Sequence, residues 1–189
     1  MKLSKRQREI IDVALGLIAQ SGIQGLTIKN IASELGISEP AIYRHFKNKA
    51  EIVKTMIADF EAQSDTALKE GVRGGMEGVE DFVKSRIVLV AGNPPLAKVM
   101  FSEELFLDDP EYSEMMRTMM HRHKASLEEL FKEAVKKGEV RKDVELEMLF
   151  RLVLGPVRLL IKQWGMSNYK FNLVKKGDQL WESLRKVLG

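Results

Sequence analysis

The sequence predicts an all-α fold: a small three-helix domain at the N-terminus, then a larger helical domain, with about nine helices in all. Three observations carry this. Apolar residues recur at helical spacing almost continuously along the chain, while period-two strand patterns are scarce. Glycines, prolines and Ser/Thr/Asp/Asn caps cut that pattern into helix-sized pieces. Two short amphipathic pieces meet at Gly36 in the manner of a helix-turn-helix.

The first helix is expected over 5–21, with Ile10, Ile11, Ala14, Leu17 and Ile18 as its inner face and Gly22 as its stop. Thr27 is a suitable N-cap for a second helix that buries Ile28, Ile31, Ala32 and Leu35 and breaks at Gly36. Ser38 is expected to cap a short third helix through about His45. Pro40 sits in its first turn, where a missing N–H costs little, and Glu39 faces the positive end of the helix dipole. Asn48 with Glu51 reads as a capping-box variant opening a fourth helix to about Lys69.

Gly71, Gly74, Gly75 and Gly78 suggest a flexible joint, followed by a fifth helix from about Val79 to Ala91. Asn93-Pro94-Pro95 closes that helix and starts a sixth, to about Leu107. Asp109-Pro110 caps a seventh that ends at Gly138. Asp143 is expected to cap an eighth, to about Trp164, with Gly155-Pro156 bending it or allowing close approach. The last helix is expected from about Val174 to Leu188. No internal repeat or low-complexity tract is visible.

Composition narrows the function. Hydrophobic residues make up 44% and charged residues 30% of the 189, as in a globular protein. With no cysteine there is no disulfide framework, thiolate metal site or cysteine nucleophile, which suits a reducing cytoplasm. No signal peptide is expected, because Glu9 and Asp12 interrupt the N-terminal segment; no apolar run approaches a membrane span, so no membrane partner is expected. The net charge of +3 lies wholly in residues 1–60, which hold nine Lys/Arg and six Asp/Glu. A basic end of that kind suits a polyanion.

On the third helix Ile42 and Phe46 fall on one side, and Pro40, Ala41, Tyr43 and Arg44 on the other. An exposed tyrosine and arginine suit a DNA major groove. Arg44 has the fork to bond a guanine edge, Tyr43 a hydroxyl for a phosphate, and Ala41 a methyl for thymine. Thr27 and Lys49 begin flanking helices, where side chains and backbone N–H groups face phosphates. A helical hairpin with a solvated basic face is the plainer alternative.

The stretch over about residues 8–56 resembles the TetR family of bacterial transcription regulators. The residues that carry the likeness are Ser21-Gly22, Leu26-Thr27-x-x-x-Ile31-Ala32-x-x-Leu35-Gly36-Ile37-Ser38, and Ala41-Ile42-Tyr43-x-His45-Phe46-x-x-Lys49-x-x-Ile52. Gly138 to Asp143 also resembles the family's connection into its penultimate helix. The resemblance implies a DNA-binding domain over 1–48, a connecting helix over 49–70, and an effector-binding and dimerisation domain over 71–189. It implies a cytoplasmic homodimer joined by the last two helices, a ligand pocket among the middle helices, and repression relieved by an effector. Carried over residue by residue, it marks Thr27, Ser38, Glu39, Pro40, Ala41, Tyr43, His45 and Lys49 as DNA contacts. Arg44 takes a variable, base-facing position, and Glu39 and Arg44 are expected to set sequence preference.

In the larger domain, Val79, Phe82, Val83, Arg86, Ile87 and Val90 form one stripe. Arg86 is its anomaly. Either its stem covers apolar neighbours at the surface, or it is an internal cation paired with Glu103, Glu104 or an acidic effector. Tyr112, Met116, Met119, Met120, His123, Leu127, Leu130, Phe131 and Ala134 form a second stripe, widened by Met115. Such methionines fit either a plain core or an adaptable ligand cavity. His123 is either a satisfied core histidine or a ligand contact; His121 and His123, two apart, do not share a face for metal. The candidate ligand residues are therefore Phe82, Arg86, Met116, Met120 and His123. The eighth helix is too apolar to face water all round, and with Leu180, Trp181, Leu184, Val187 and Leu188 it offers a dimer interface, unless the monomer covers both faces itself.

The leading expectation is a ligand-responsive repressor binding a palindromic operator on double-stranded DNA, with a small-molecule effector and no cofactor, metal or catalytic residue. An effector-independent DNA-binding protein or activator is one alternative. An enzyme with an appended DNA-binding head is another, which lacks a nucleophile–base motif, phosphate loop or metal-ligand cluster.

Overall fold

A computed structural model describes residues 3–69 (side chains through 65), 73–100, 102, 105 and 109–189. Among them are nine α-helices and no strand: α1 Lys5–Ser21, α2 Ile28–Leu35, α3 Glu39–Tyr43, α4 Lys49–Lys69, α5 Gly75–Gly92, α6 Leu96–Val99, α7 Pro110–Lys136, α8 Leu146–Met166 and α9 Leu173–Leu188. None is long and apolar enough to cross a membrane.

The small domain is fixed by its caps and a shared core. Ser4 opens α1 with a reciprocal capping box to Gln7. The Thr27 hydroxyl accepts from the Asn30 N–H at 3.0 Å to start α2. Gly36 ends α2 at φ 64°, a left-handed conformation that side chains disfavour, and its N–H closes onto the last turn. Ile10, Ile11, Ala14, Ile31, Ile42 and Phe46 meet in one dry core.

The helix-turn-helix differs from expectation in detail. α3 stops at Tyr43 rather than reaching His45, because the His45 and Phe46 N–H groups both turn back to the Ile42 carbonyl. Ser38 precedes α3 but its hydroxyl makes no capping bond. Asn48 Oδ1 accepts from the Glu51 N–H at 2.9 Å as expected, but the Glu51 carboxylate accepts from the Lys47 N–H rather than from Asn48.

The head is joined to the body by more than chain continuity. Arg8 of α1 makes a bidentate pair with Asp59 of α4, one arm at 2.8 Å, and Gln63 donates to the same carboxylate at 2.6 Å. α1 also packs on α6.

In the body, α5 is the hub and packs against α4, α7, α8 and α9. It begins at Gly75, not Val79, so Gly75 and Gly78 are buried helix rather than a flexible joint. A Cβ on Gly78 would lie 2.6 Å from Leu130 Cδ2 and closer still to the Arg73 carbonyl, so glycine is needed there for close approach. The positive end of α5 is held from outside its own sequence: the Met76 N–H donates to Glu139 at 2.9 Å, and the Glu133 carboxylate accepts from the Gly75 N–H. Gly71 of the proposed joint lies outside the described residues, as does much of the proposed sixth helix beyond Val99.

α7 is tied to α4 by Arg122, which pairs with Glu61 and lies 3.8 Å from Asp65, and by Lys54–Glu111 at 2.5 Å. α8 starts after Glu145, not Asp143. The Asp143 carboxylate is engaged instead by Arg141, two residues before it, at 2.6–2.7 Å. α8 runs through Pro156 as one helix. Asn172 caps α9 by accepting from the Lys175 N–H at 2.9 Å.

Candidate functional site

Two separate sites emerge, one at the head and one inside the body. At the head, Ile42 and Phe46 are buried, whereas Ser38, Glu39, Pro40, Tyr43 and Arg44 stand in solvent and Ala41 and His45 are half-buried. The Tyr43 side chain, 52% exposed, has no buried role to explain its outward position. Arg44 makes no ion pair among the described residues, which leaves its planar fork open to an incoming acceptor. Thr27 flanks this face as the N-cap of α2, and its hydroxyl still has a proton to donate while it accepts from Asn30. Lys49 flanks it as the first residue of α4. All nine expected DNA contacts thus come from α2, α3, the turns around α3, and the start of α4. His45 is also anchored through its backbone, whose carbonyl accepts from Gln7 Nε2 at 3.5 Å.

Inside the body, a cavity of about 80 Å³ lies between α4, α5, α7 and α8. That is more space than a single water needs. All five expected ligand residues line it: Phe82 and Arg86 from α5, and Met116, Met120 and His123 from α7. The sequence did not single out Phe60 of α4, Met100, or Phe150, Leu154, Val157, Arg158 and Ile161 of α8, which complete the wall with Val83 and Met119. Arg158 carried a legible signal, since it interrupts an apolar run as Arg86 does.

Arg86 is 8% exposed, which overturns the surface reading. Its guanidinium lies 3.4 Å over the Phe82 ring, and Nη1 donates to the Phe82 carbonyl and the Ser85 hydroxyl at 3.3 and 3.2 Å. Nη2 has no partner among the described residues. Burial pushes the group down to about 9, with Asp65 opposing. Glu103 and Glu104, the partners considered from sequence, lie outside the described residues. His123 is also 8% exposed and meets the Phe82 ring edge-on at 5.7 Å. Burial first, then the Arg86 and Arg122 charges, push it down to about 3, so it is neutral at physiological pH; Nε2 has no partner among the described residues. The satisfied-core reading of His123 therefore fails at that atom. Among the described residues the remaining wall is aliphatic, aromatic and thioether, apart from Arg158, whose Nη1 lies 3.6 Å from Met120 Sδ.

A third surface is apolar and exposed. Met148, Leu152 and Leu159 follow one outer face of α8, and Val174 and Val187 lie on α9. The described residues contain no group of three or more His, Cys, Asp or Glu able to hold a metal ion.

Comparison with known proteins covers the chain in two overlapping parts. The family described as bacterial regulatory proteins, tetR family, matches residues 10–56, and the C-terminal region of YsiA-like proteins matches residues 49–186. The fatty acid metabolism regulator protein of Bacillus subtilis (strain 168) is 22% identical, over 93% of this chain and 92% of its own. The nucleoid occlusion factor SlmA of Photobacterium profundum is 24% identical over 100% and 98%. The solved structure of the transcriptional regulator FadR from Bacillus subtilis in complex with stearoyl-CoA superposes with a TM-score of 0.76, at 22% identity, over 96% of this chain and 99% of that one.

Proposed function

The chain belongs to the TetR family of bacterial regulatory proteins and is a DNA-binding transcription regulator, not an enzyme; from that premise we propose that it represses by gripping a palindromic operator as a homodimer and releases it when a small, largely apolar molecule fills the cavity. The observation that carries the effector is the cavity wall itself. Phe60 belongs to α4, the helix whose first turn flanks the reading head, so occupancy of the cavity acts on the strut that positions α3.

At the head, Arg44 and Glu39 read bases, Ala41 and Pro40 lie against them, and Thr27, Ser38, Tyr43, His45 and Lys49 hold the phosphate backbone. The dimer forms through α8 and α9, which supports two heads spaced for half-sites about 34–36 Å apart. The apolar outer face of Met148, Leu152 and Leu159 supports that assignment, since exposed apolar patches mark association surfaces. The protein works in the cytoplasm and needs no cofactor. The solved structure of the FadR relative holds stearoyl-CoA, whose long acyl chain supports an effector with an apolar body.

Selection of bound duplexes from a random pool, followed by titration of the selected site, tests this. A palindromic preference whose affinity drops when a cavity-filling molecule is added is the expected result. A second reading, an effector-independent protein that organises DNA, is favoured by the full-length likeness to SlmA. Site-selective binding that no cavity ligand alters would establish that reading in place of the first.

A further inference from the structure

We propose that the cavity takes a free aliphatic carboxylate, with its charged end held by Arg86 and His123 beside Phe82 and its chain lying along the methionines. This rests on the effector reading above and names the chemistry of that effector. The argument begins with the buried guanidinium. Arg86 retains its charge at neutral pH, since burial leaves its pKa near 9. It forms no ion pair among the described residues. Among the described residues, the one carboxylate whose field it feels, Asp65, faces Arg122 instead. A neutral acceptor from a ligand would satisfy Nη2 but leave a desolvated cation; only an anion answers both.

His123 sharpens the choice. As a neutral imidazole it brings a second donor without a second charge when the proton is on Nε2, the atom that has no partner. Phe82 fixes both groups, stacking under Arg86 and meeting His123 edge-on. Among the described residues the lining holds no carboxylate to offset the Arg86 charge, which also favours an anion. Beyond that polar end, Met100, Met116 and Met119 offer an adaptable apolar channel for a short chain. A cavity of about 80 Å³ suits the chain of a short acid. A thioester would present Arg86 with an uncharged carbonyl.

The test is calorimetric titration and thermal shift with hexanoate, octanoate, decanoate, methyl octanoate, octanol and octanoyl-coenzyme A. Octanoate is expected to bind at least about tenfold more tightly than its ester or the alcohol, equivalent to one charge-assisted bond. Arg86→Met should erase that preference and raise the melting temperature of the ligand-free protein, because a desolvated cation is gone. Arg86→Lys should keep the preference, and His123→Leu should weaken the acid several-fold. An acid that binds no better than its ester, a thioester preferred in both wild type and Arg86→Met, or no binding by any probe overturns the proposal. Operator release is read separately on the same samples. Acid-selective binding without release leaves the carboxylate assignment standing and refutes the effector role. Release by a neutral apolar molecule indifferent to Arg86 does the reverse.

Discussion

The ion pair between Arg8 and Asp59 should be markedly asymmetric when broken. Asp59 is 7% exposed, whereas the Arg8 side chain is 42% exposed. Arg8→Ala leaves a buried carboxylate with only the Gln63 amide donating to it among the bonds described. Removing one member of a buried pair costs about 3–5 kcal/mol, but the open side of this pair lets water recover part, so about 2–3 kcal/mol is expected. For a chain of this size each kcal/mol lowers the melting temperature by about 2–4 °C, so the loss is about 4–12 °C. Asp59→Ala leaves Arg8 free to turn into water and should cost less, about 1–2 kcal/mol. The double variant Arg8→Met/Asp59→Leu removes both charges and keeps apolar volume; it should return to within about 1 kcal/mol of wild type. Thermal unfolding followed by circular dichroism reads all four proteins. Equal losses for the two single variants, or a double variant as unstable as the sum of both, would refute the assignment of Asp59 as the buried, dependent partner.

Four further outcomes are expected. His123 falls from an unfolded value of 6.5 to about 3 on folding, so the unfolded chain binds the extra proton between those limits. Stability is therefore full above about pH 6.5 and declines as pH falls, by up to about 1.4 kcal/mol per unit; His123→Leu should flatten melting temperature against pH in that window. Gly36→Val forces a branched side chain to φ 64° and should cost about 1–2 kcal/mol, measured by denaturant unfolding. Arg44→Ala should cost about 1–3 kcal/mol at the selected site and relax preference at one base position; an unchanged preference in repeated duplex selection means Arg44 reads no base. Leu152→Glu with Leu159→Glu, both at exposed positions, should yield folded monomer in sedimentation velocity, and a persistent dimer would exclude α8 from the interface.

The reading head was legible because its signals are local. Thr27, Gly36 and the spacing of Ile31, Ala32, Ile42 and Phe46 specify caps, a left-handed turn and a core within about twenty residues of one another. The cavity was half legible. Residues on α5 and α7 stood out because Arg86 and His123 break apolar stripes, and both stripes face the same space. The α8 wall was hidden by its own composition: a helix apolar on nearly every side gives no periodic sign of which face meets the cavity and which faces outward. The start of α5 was misplaced for another reason. Gly75 and Gly78 look like a hinge in isolation, and only tertiary partners, Glu133, Glu139 and Leu130, make them helix. Asp143 was likewise drawn from a capping role by a neighbour, Arg141.

Asp59 and Phe60 are consecutive residues of α4, one locked to the head by Arg8 and the other set in the cavity wall. Traffic between the two sites then runs in both directions. Whatever factor an occupant of the cavity takes from DNA affinity, bound DNA must take from the affinity of that occupant. Under the proposed release mechanism, operator-bound protein would be a poorer sensor than free protein, and the concentration at which a promoter responds would depend on how well its sequence holds the protein. One regulator can thereby switch strong and weak sites at different doses of a single compound, with the ordering set by the DNA.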